Sequence, residues 1–238
     1  MRADTMPRKS LVGPTLFTAF GLALLLGLGT WQVQRLGWKE RLIAERAAGV
    51  AASPVPLPTT QAAAQGLEYH HVRAVGHYVG KPLYLHAISR DGDQGFHVVA
   101  PFALADGGAV LIDRGFVPED VARANPVFAS PAAPEIEVTG LLRLAAGKPS
   151  WFTPENAPAQ GTWFYVDPDA MGKAAGVGPV LPFYIDADRE PGARYPIGGQ
   201  TLLDLPNNHL QYAITWYLLA AALVIVYLRI VLKRGARP

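Results

Sequence analysis

Between residues 212 and 228 the chain carries no charged side chain, and between residues 11 and 31 it carries none either. An α-helix rises 1.5 Å per residue, so about 20 apolar residues cross the roughly 30 Å hydrocarbon core of a bilayer. The first run has 21 residues and the second 17, and Ile230 to Leu232 extends the second beyond Arg229. A long basic side chain in that position can snorkel to the interface. Within lipid every backbone polar group must be satisfied internally, which makes both runs helices. Pro14 and four glycines weaken the first run as a soluble helix, but spanning helices carry these residues more often. Two spans near the two ends, with a polar section of ordinary domain length between them, constrain everything else.

The first run follows a basic start (Arg2, Arg8, Lys9), as a secretory signal would, but only Gly27-Leu28-Gly29 resembles a cleavage site. The run is also longer than a usual signal core, so we expect a retained anchor. Arg229, Lys233, Arg234 and Arg237 stand beyond or at the end of the second run, and no Lys or Arg lies between Tyr195 and Gln211. The positive-inside bias then puts both termini in the cytoplasm. Residues 32–211 hold 14 basic and 18 acidic side chains, against 7 basic and 1 acidic in the two ends. The expected layout is a cytoplasmic N-terminus at 1–10, a first span at 11–31 and an extracytoplasmic section at 32–211. A second span follows at 212–232, with a cytoplasmic C-terminus at 233–238. The acidity of the section argues against nucleic acid as a partner, leaving membrane lipid and protein. There is no cysteine, so disulfides, thiolate metal sites and Cys nucleophiles are excluded. Ten residues before the first span are short for a mitochondrial transit peptide, and the Ala/Gly/Pro-rich composition suits a bacterial inner membrane.

After the first span, Trp31, Trp38 and Leu42 recur on one helical face, and the helix is expected to end near Gly49. Ser53-Pro54-Val55-Pro56-Leu57-Pro58 reads as a stiff linker. Strands are expected at 69–79, 82–89, 96–104, 109–116, 135–144, 180–187 and 200–205, with an extended segment at 161–166. The second strand turns through Arg90 to Gly95. Asp106-Gly107-Gly108 between β-branched runs signals a tight hairpin. A short helix is expected at 118–124 and another at 168–175, the latter with Asp167 as N-cap and Pro168 at its first position. The fold class is therefore an α+β membrane protein, two transmembrane helices flanking a β-rich antiparallel extracytoplasmic domain.

No phosphate loop, GxSxG or HExxH motif is present, and no nucleophile–base set is visible, so a non-enzyme is expected. Gly198-Gly199 reads as a turn. His70, His71, His77, His86 and His97 read as strand histidines, with a shared metal site the less favoured reading. Asp113-Arg114 reads as an ion pair at a strand rim, with a catalytic pair as the alternative. Trp151, Phe152, Trp163, Phe164 and Tyr165 read as core, or as a cradle for a flat ligand.

His209 differs by its address. Pro206-Asn207-Asn208 precedes it, and either Asn can cap a helix that turns apolar within one turn. The imidazole thus sits where the chain enters the membrane. It is either a capping or snorkelling histidine, or an axial ligand for haem iron held between the two spans. The residues alone leave both open.

The segments LGTWQVQRLGWKERLIAE, EYHHVRAVGHY, VVAPF, VLIDRGFVP, PIGGQT and NNHLQYAITWY, in that order, resemble the Surfeit locus protein 1 family of cytochrome c oxidase assembly factors. The resemblance implies a two-span chaperone of respiratory chain complex IV assembly. It would bind haem a transiently and assist its insertion into oxidase subunit I alongside other assembly factors. The family's haem-linked histidine matches His209, the one metal ligand expected. Trp31 and Gln32 are then neighbours of the ligand, and Trp216 and Tyr217 are expected to line the pocket. The alternative is a scaffold that binds no haem and stabilises an assembly intermediate through its extracytoplasmic domain.

Overall fold

The computed structural model describes residues 10–89, 92–124, 135–203 and 205–235. The expected turn residues Arg90 and Asp91, the Pro-rich stretch 125–134, Asp204 and the extreme termini lie outside them. The chain forms two compact units, residues 1–44 with 204–238, and residues 45–203.

The first unit is a helix pair. Helix α1 spans Val12–Ala51, of which the residues to Ala44 belong here, and α5 spans His209–Gly235. Both are long and apolar enough to cross a membrane. They pair antiparallel: Thr15 meets Tyr227, Gly21 faces Leu223, Gly29 faces Tyr217, and Gln32 meets His209. Large side chains of α5 sit over glycines of α1, since a Cβ on Gly29 would lie 2.7 Å from the Tyr217 ring. Small interfacial residues let spanning helices pack where no hydrophobic drive exists between them. Ala213 and Ala220 are buried in the same stripe, while Phe17, Phe20 and Leu218 point outward, as lipid-facing side chains should. The Thr15 hydroxyl donates to Leu11 O, so the 2.7 Å contact with Tyr227 uses the phenol as donor.

The second unit is built on a seven-stranded sheet in the order β1-β2-β6-β7-β5-β4-β3. Its strands are β1 (Val55–Pro56), β2 (His71–Tyr78), β3 (Leu83–Ile88), β4 (Gln94–Leu104), β5 (Ala109–Pro118), β6 (Ile136–Leu144) and β7 (Val180–Ala187). Three short helices accompany them, α2 (Gln61–Gln65), α3 (Glu119–Ala124) and α4 (Pro168–Ala174). Strand β2 pairs with β6 over His71–Gly76 and with β4 over Gly76–Tyr78, so β2, β6, β7, β5 and β4 close into a ring. At the closing point a Cβ on Gly76 would lie 1.9 Å from Ala103 O, which excludes any other residue. The Gly107-Gly108 hairpin forms as expected, with both glycines at positive φ.

Alternation along the strands separates two faces. Val72, Phe102, Val110, Ile112, Leu142, Phe183 and Ile185 form one core. On the opposite face Val99, Leu111, Trp163 and Met171 pack together, with α4 as cover. Burying a side chain of Phe size contributes about 1.5–3 kcal/mol, so the fully buried Trp163 and Phe183 anchor the two layers. Asp167 caps α4 by accepting from Ala170 N at 3.1 Å, with Pro168 at the first position, as expected.

Several expectations need refinement. The sheet is mainly antiparallel, but β1–β2 and β5–β7 are parallel. The chain reverses into β6 and reverses again into β7, which leaves β7 parallel to β5. Residues 161–166 make only isolated bridges, Thr162 with Ala157 and Trp163 with Leu85. Residues 200–203 are not a strand; they continue a strap that bonds Ile197 to Phe116 in both directions. Asn208 accepts the first α5 bond through its carbonyl, from Tyr212 N, while Asn207 Oδ1 has no partner among the described residues. The helix start thus relies on the Asn208 backbone rather than on an Asn207 side-chain cap.

Candidate functional site

Two groups of polar side chains stand out, one in each unit. In the helix pair, His209 Nδ1 lies 2.7 Å from Gln32 Oε1. An amide oxygen only accepts, so Nδ1 carries the hydrogen and donates it. In the neutral ring the lone pair is then on Nε2. Fixing one ring nitrogen in this way is how a second partner sets tautomer and orientation for a metal-binding histidine. His209, Ala213, Trp216 and Ala220 recur at helical spacing on one stripe. Trp216 Nε1 is buried and has no hydrogen-bond partner among the described residues. Tyr217 lies against Gly29, with its hydroxyl 3.3 Å from Thr30 Oγ1. Trp31 is half exposed, and adjacent positions on a helix point in directions about 100° apart. The structure therefore joins His209 to Gln32, sets Trp216 on the same stripe and leaves Trp31 apart. Tyr217 and Leu223 occupy the space over Gly29 and Gly21, so a macrocycle does not fit between the helices at those levels.

The second group was not foreseen. Asp113 on β5 and Asp186 on β7 are register partners on adjacent parallel strands, and they are 5% and 4% exposed. The irregularity in β4 between His97 and Val99 falls beside this pair, and bulges re-aim side chains. His97 Nδ1 donates to Asp113 Oδ2 at 2.6 Å, and Gly115 N donates to Asp113 Oδ1 at 3.0 Å. The Thr201 hydroxyl donates to Asp186 Oδ2 and accepts from Arg143 Nη1 at 3.1 Å. Arg143 in turn stacks on Tyr69, whose other neighbour is Arg46. Tyr69 has φ of 65°, a region that a non-glycine residue occupies only under constraint.

Burial and the Asp113 charge push the Asp186 carboxyl up to about 6, against the Thr201 hydrogen bond and the His97 and Arg143 charges. Burial opposes the charge on His97, but Asp113 and Asp186 outweigh it and raise the imidazole above its ordinary value. A carboxyl raised on folding binds more protons in the folded than in the unfolded chain, so its effect is to lower stability as pH rises through the interval between the two pKa values. We expect the domain of wild type to lose up to roughly 3 kcal/mol between about pH 4 and 6 relative to Asp186→Asn. Urea titrations of both proteins across that range measure the difference; parallel curves would refute the assignment.

The remaining expected residues are distributed as follows. His71 is a structural clamp, with Nδ1 2.8 Å from Val50 O in the last turn of α1 and Nε2 3.0 Å from Asp188 Oδ1. His86 stacks on Phe164. Among the described residues no group of three His, Asp or Glu side chains is arranged to hold a metal ion. Asp113 is not at a rim: it is buried and bonded to His97, while Arg114 stacks on Tyr78. Adjacent strand residues face opposite ways, which separates the two. Of the aromatic set, Trp163 is core, whereas Trp151 is 89% exposed and contacts Phe152. The five do not form one cradle.

Comparison with known proteins adds a further finding. The model of the SURF1 family matches residues 19–221. Surfeit locus protein 1 from Rattus norvegicus is 39% identical over 237 residues, covering 92% of this chain and 76% of its own. Surfeit locus protein 1 from Mus musculus is 40% identical over 219 residues, covering 84% and 70%. The protein of that name from Homo sapiens is 39% identical over 216 residues, covering 82% and 70%.

Proposed function

Because the chain belongs to the SURF1 family of cytochrome c oxidase assembly factors, we propose that it carries a-type haem as cargo on His209. The haem would pass from there to oxidase subunit I, with the chain acting as a chaperone rather than a catalyst. The observation that carries this reading is the Gln32–His209 hydrogen bond. It commits Nδ1 as donor and leaves the Nε2 lone pair for iron. A single protein axial ligand holds cargo firmly enough to carry and loosely enough to release. The unpartnered Trp216 Nε1, on the same stripe, would serve a polar substituent of the macrocycle. Since Tyr217 and Leu223 fill the helix pair at the levels of Gly29 and Gly21, the cargo would lie at the His209 end of the pair.

The test is haem loading. Wild type purified in detergent from cells making haem a should show a Soret band, and His209→Ala should lose it. A band unchanged in His209→Ala would remove the ligand role. Wild type without any haem would favour the scaffold reading, in which the β domain alone holds an assembly intermediate.

In the same reading the spans are 11–31 and 212–232, the membrane is the bacterial inner membrane, and residues 32–211 face the periplasm. The Lys and Arg residues at the C-terminal end support this orientation. The chain has no native cysteine, so Trp151→Cys provides a single, exposed label site. A membrane-impermeant maleimide should label it in spheroplasts as fully as in lysed cells. Labelling only after lysis would invert the topology.

A further inference from the structure

Among the described residues of the β domain, four large apolar side chains are more than two-thirds exposed: Ile88, Trp151, Phe152 and Leu202. Three separate segments carry them, and the contacts of those segments gather them on one side of the domain. Ile88 and Leu202 line one cavity of about 350 Å³ together with Arg143. Trp151 and Phe152 lie in the loop that follows β6, whose last residue but one is Arg143. The base of that loop is fastened to residues 164–165. Asn156 Oδ1 accepts from Phe164 N at 2.8 Å, and the Tyr165 hydroxyl donates to Glu155 Oε2 at 3.1 Å. Phe164 stacks in turn on His86, two residues before Ile88 on β3.

The loop is built to hold its two aromatic rings outward. Thr153 N donates to Ser150 O, which makes Trp151 and Phe152 the central pair of a turn. Pro149 and Pro154 stiffen its flanks, and Lys148 pairs with Glu155 at 2.6 Å beneath it. The two rings meet edge to face with centroids 5.3 Å apart. An apolar tip presented in this way marks a contact surface, and the chain itself indicates what covers it. Both connections to the spanning helices reach the β domain on this side. Arg46, in the last turns of α1, stacks on Tyr69, and Arg143 stacks on the same ring. Thr201, bonded to Arg143 Nη1, leads towards α5. Leu202 stands seven positions before His209, where α5 begins, and that length of chain spans at most about 25 Å. The bilayer entered by those helices is thus tethered to this side at a high effective concentration. Tryptophan is also a residue that favours the headgroup layer.

We propose that Trp151 and Phe152, with Ile88 and Leu202 beside them, form a lipid-contacting face of the β domain that inserts into the headgroup–acyl boundary of the bilayer spanned by the chain's own helices. The inference rests on the two spans, and on neither their orientation nor haem. Insertion of apolar side chains needs no lipid charge, so it persists in zwitterionic lipid and when salt screens surface charges.

The experiment uses the full chain in phosphatidylcholine nanodiscs, with a nitroxide on Phe152→Cys, the single cysteine of that protein. Power-saturation EPR measures collisions of the label with oxygen, which concentrates in lipid, and with a neutral nickel chelate, which stays in water. Oxygen collisions should exceed nickel collisions, and added salt should leave the ratio unchanged. Trp151→Ser in the labelled chain should reverse the ratio, and Leu202→Asp should lower it. Both positions are exposed, so neither change touches the core. Nickel collisions in excess in the labelled chain without further substitution would overturn the proposal and leave the turn open to a protein partner. Protection from both relaxers would set the turn against protein, a second copy included, and would overturn it equally. The measurement is made without haem and should be unchanged in His209→Ala, so its failure and a failure of haem loading are separate results.

Discussion

Gly115→Ala is expected to destabilise the β domain by about 3 kcal/mol or more. Gly115 has φ of 115°, which a residue with a side chain strongly resists, and an added Cβ would lie 2.1 Å from Ile197 O and 2.4 Å from Gly198 N. Those atoms belong to the strap backbone, so no side-chain rotation relieves the overlap. The strap must lift, breaking the paired bonds between Phe116 and Ile197 and drawing Thr201 away from Asp186. Total stabilities of about 5–15 kcal/mol leave little margin for such a loss. Urea unfolding followed by tryptophan fluorescence, and protease resistance in micelles, report the effect. A Gly115→Ala protein as stable as wild type would mean that the strap does not sit on β5 as described.

The second large effect is expected at Gln32. Gln32→Leu keeps the volume of the side chain but removes the acceptor for His209 Nδ1. The ring then loses both its orientation and its tautomer preference. Removing a partner of this kind typically costs a metal site ten- to a hundredfold in affinity. Retained haem should fall by that factor in Gln32→Leu while the Soret position stays near that of wild type, because the axial ligand is unchanged. Gln32→Glu, which keeps an acceptor, should restore much of the retention. Equal haem content in wild type and Gln32→Leu would show that Gln32 has no part in orienting the ligand.

The sequence made the helix pair legible because spanning helices are written as local, uncharged runs. Residues 180–187, the Asp167 cap of α4 and the Gly107-Gly108 turn were legible for the same reason: each depends on neighbours within a few positions. The Asp113 and Asp186 pair was not. These residues stand 73 positions apart, and only the parallel β5–β7 register brings them side by side. Their one local mark is an acid inside each of two apolar strand runs, VLIDRGF and FYIDA. Reading Asp113 with its neighbour Arg114 concealed that mark. Thr201 was hidden differently, since residues 200–205 were expected to add a strand, whereas 200–203 extend the strap that delivers its hydroxyl to Asp186. Gln32 was identified from depth alone, and its bond to His209 is the finer detail that the structure supplies.

The closure of the ring by β2 also bears on how the β domain comes apart. An open sheet can fray from a terminal strand, but a ring has to be cut first. Here the seams are unequal: β2 meets β4 through only Gly76, His77 and Tyr78, whereas it meets β6 through six register pairs, from His71 to Gly76. Gly76 and Leu104 of the short seam are 28 positions apart and Gly76 and Ile136 of the long one 60, so the short seam is weak through its few bonds and not through its closure entropy. With the fewest bonds, it is the seam expected to open first when the ring is cut. The gate for subglobal opening lies at Gly76, the residue whose missing side chain allows the two strands to meet at all.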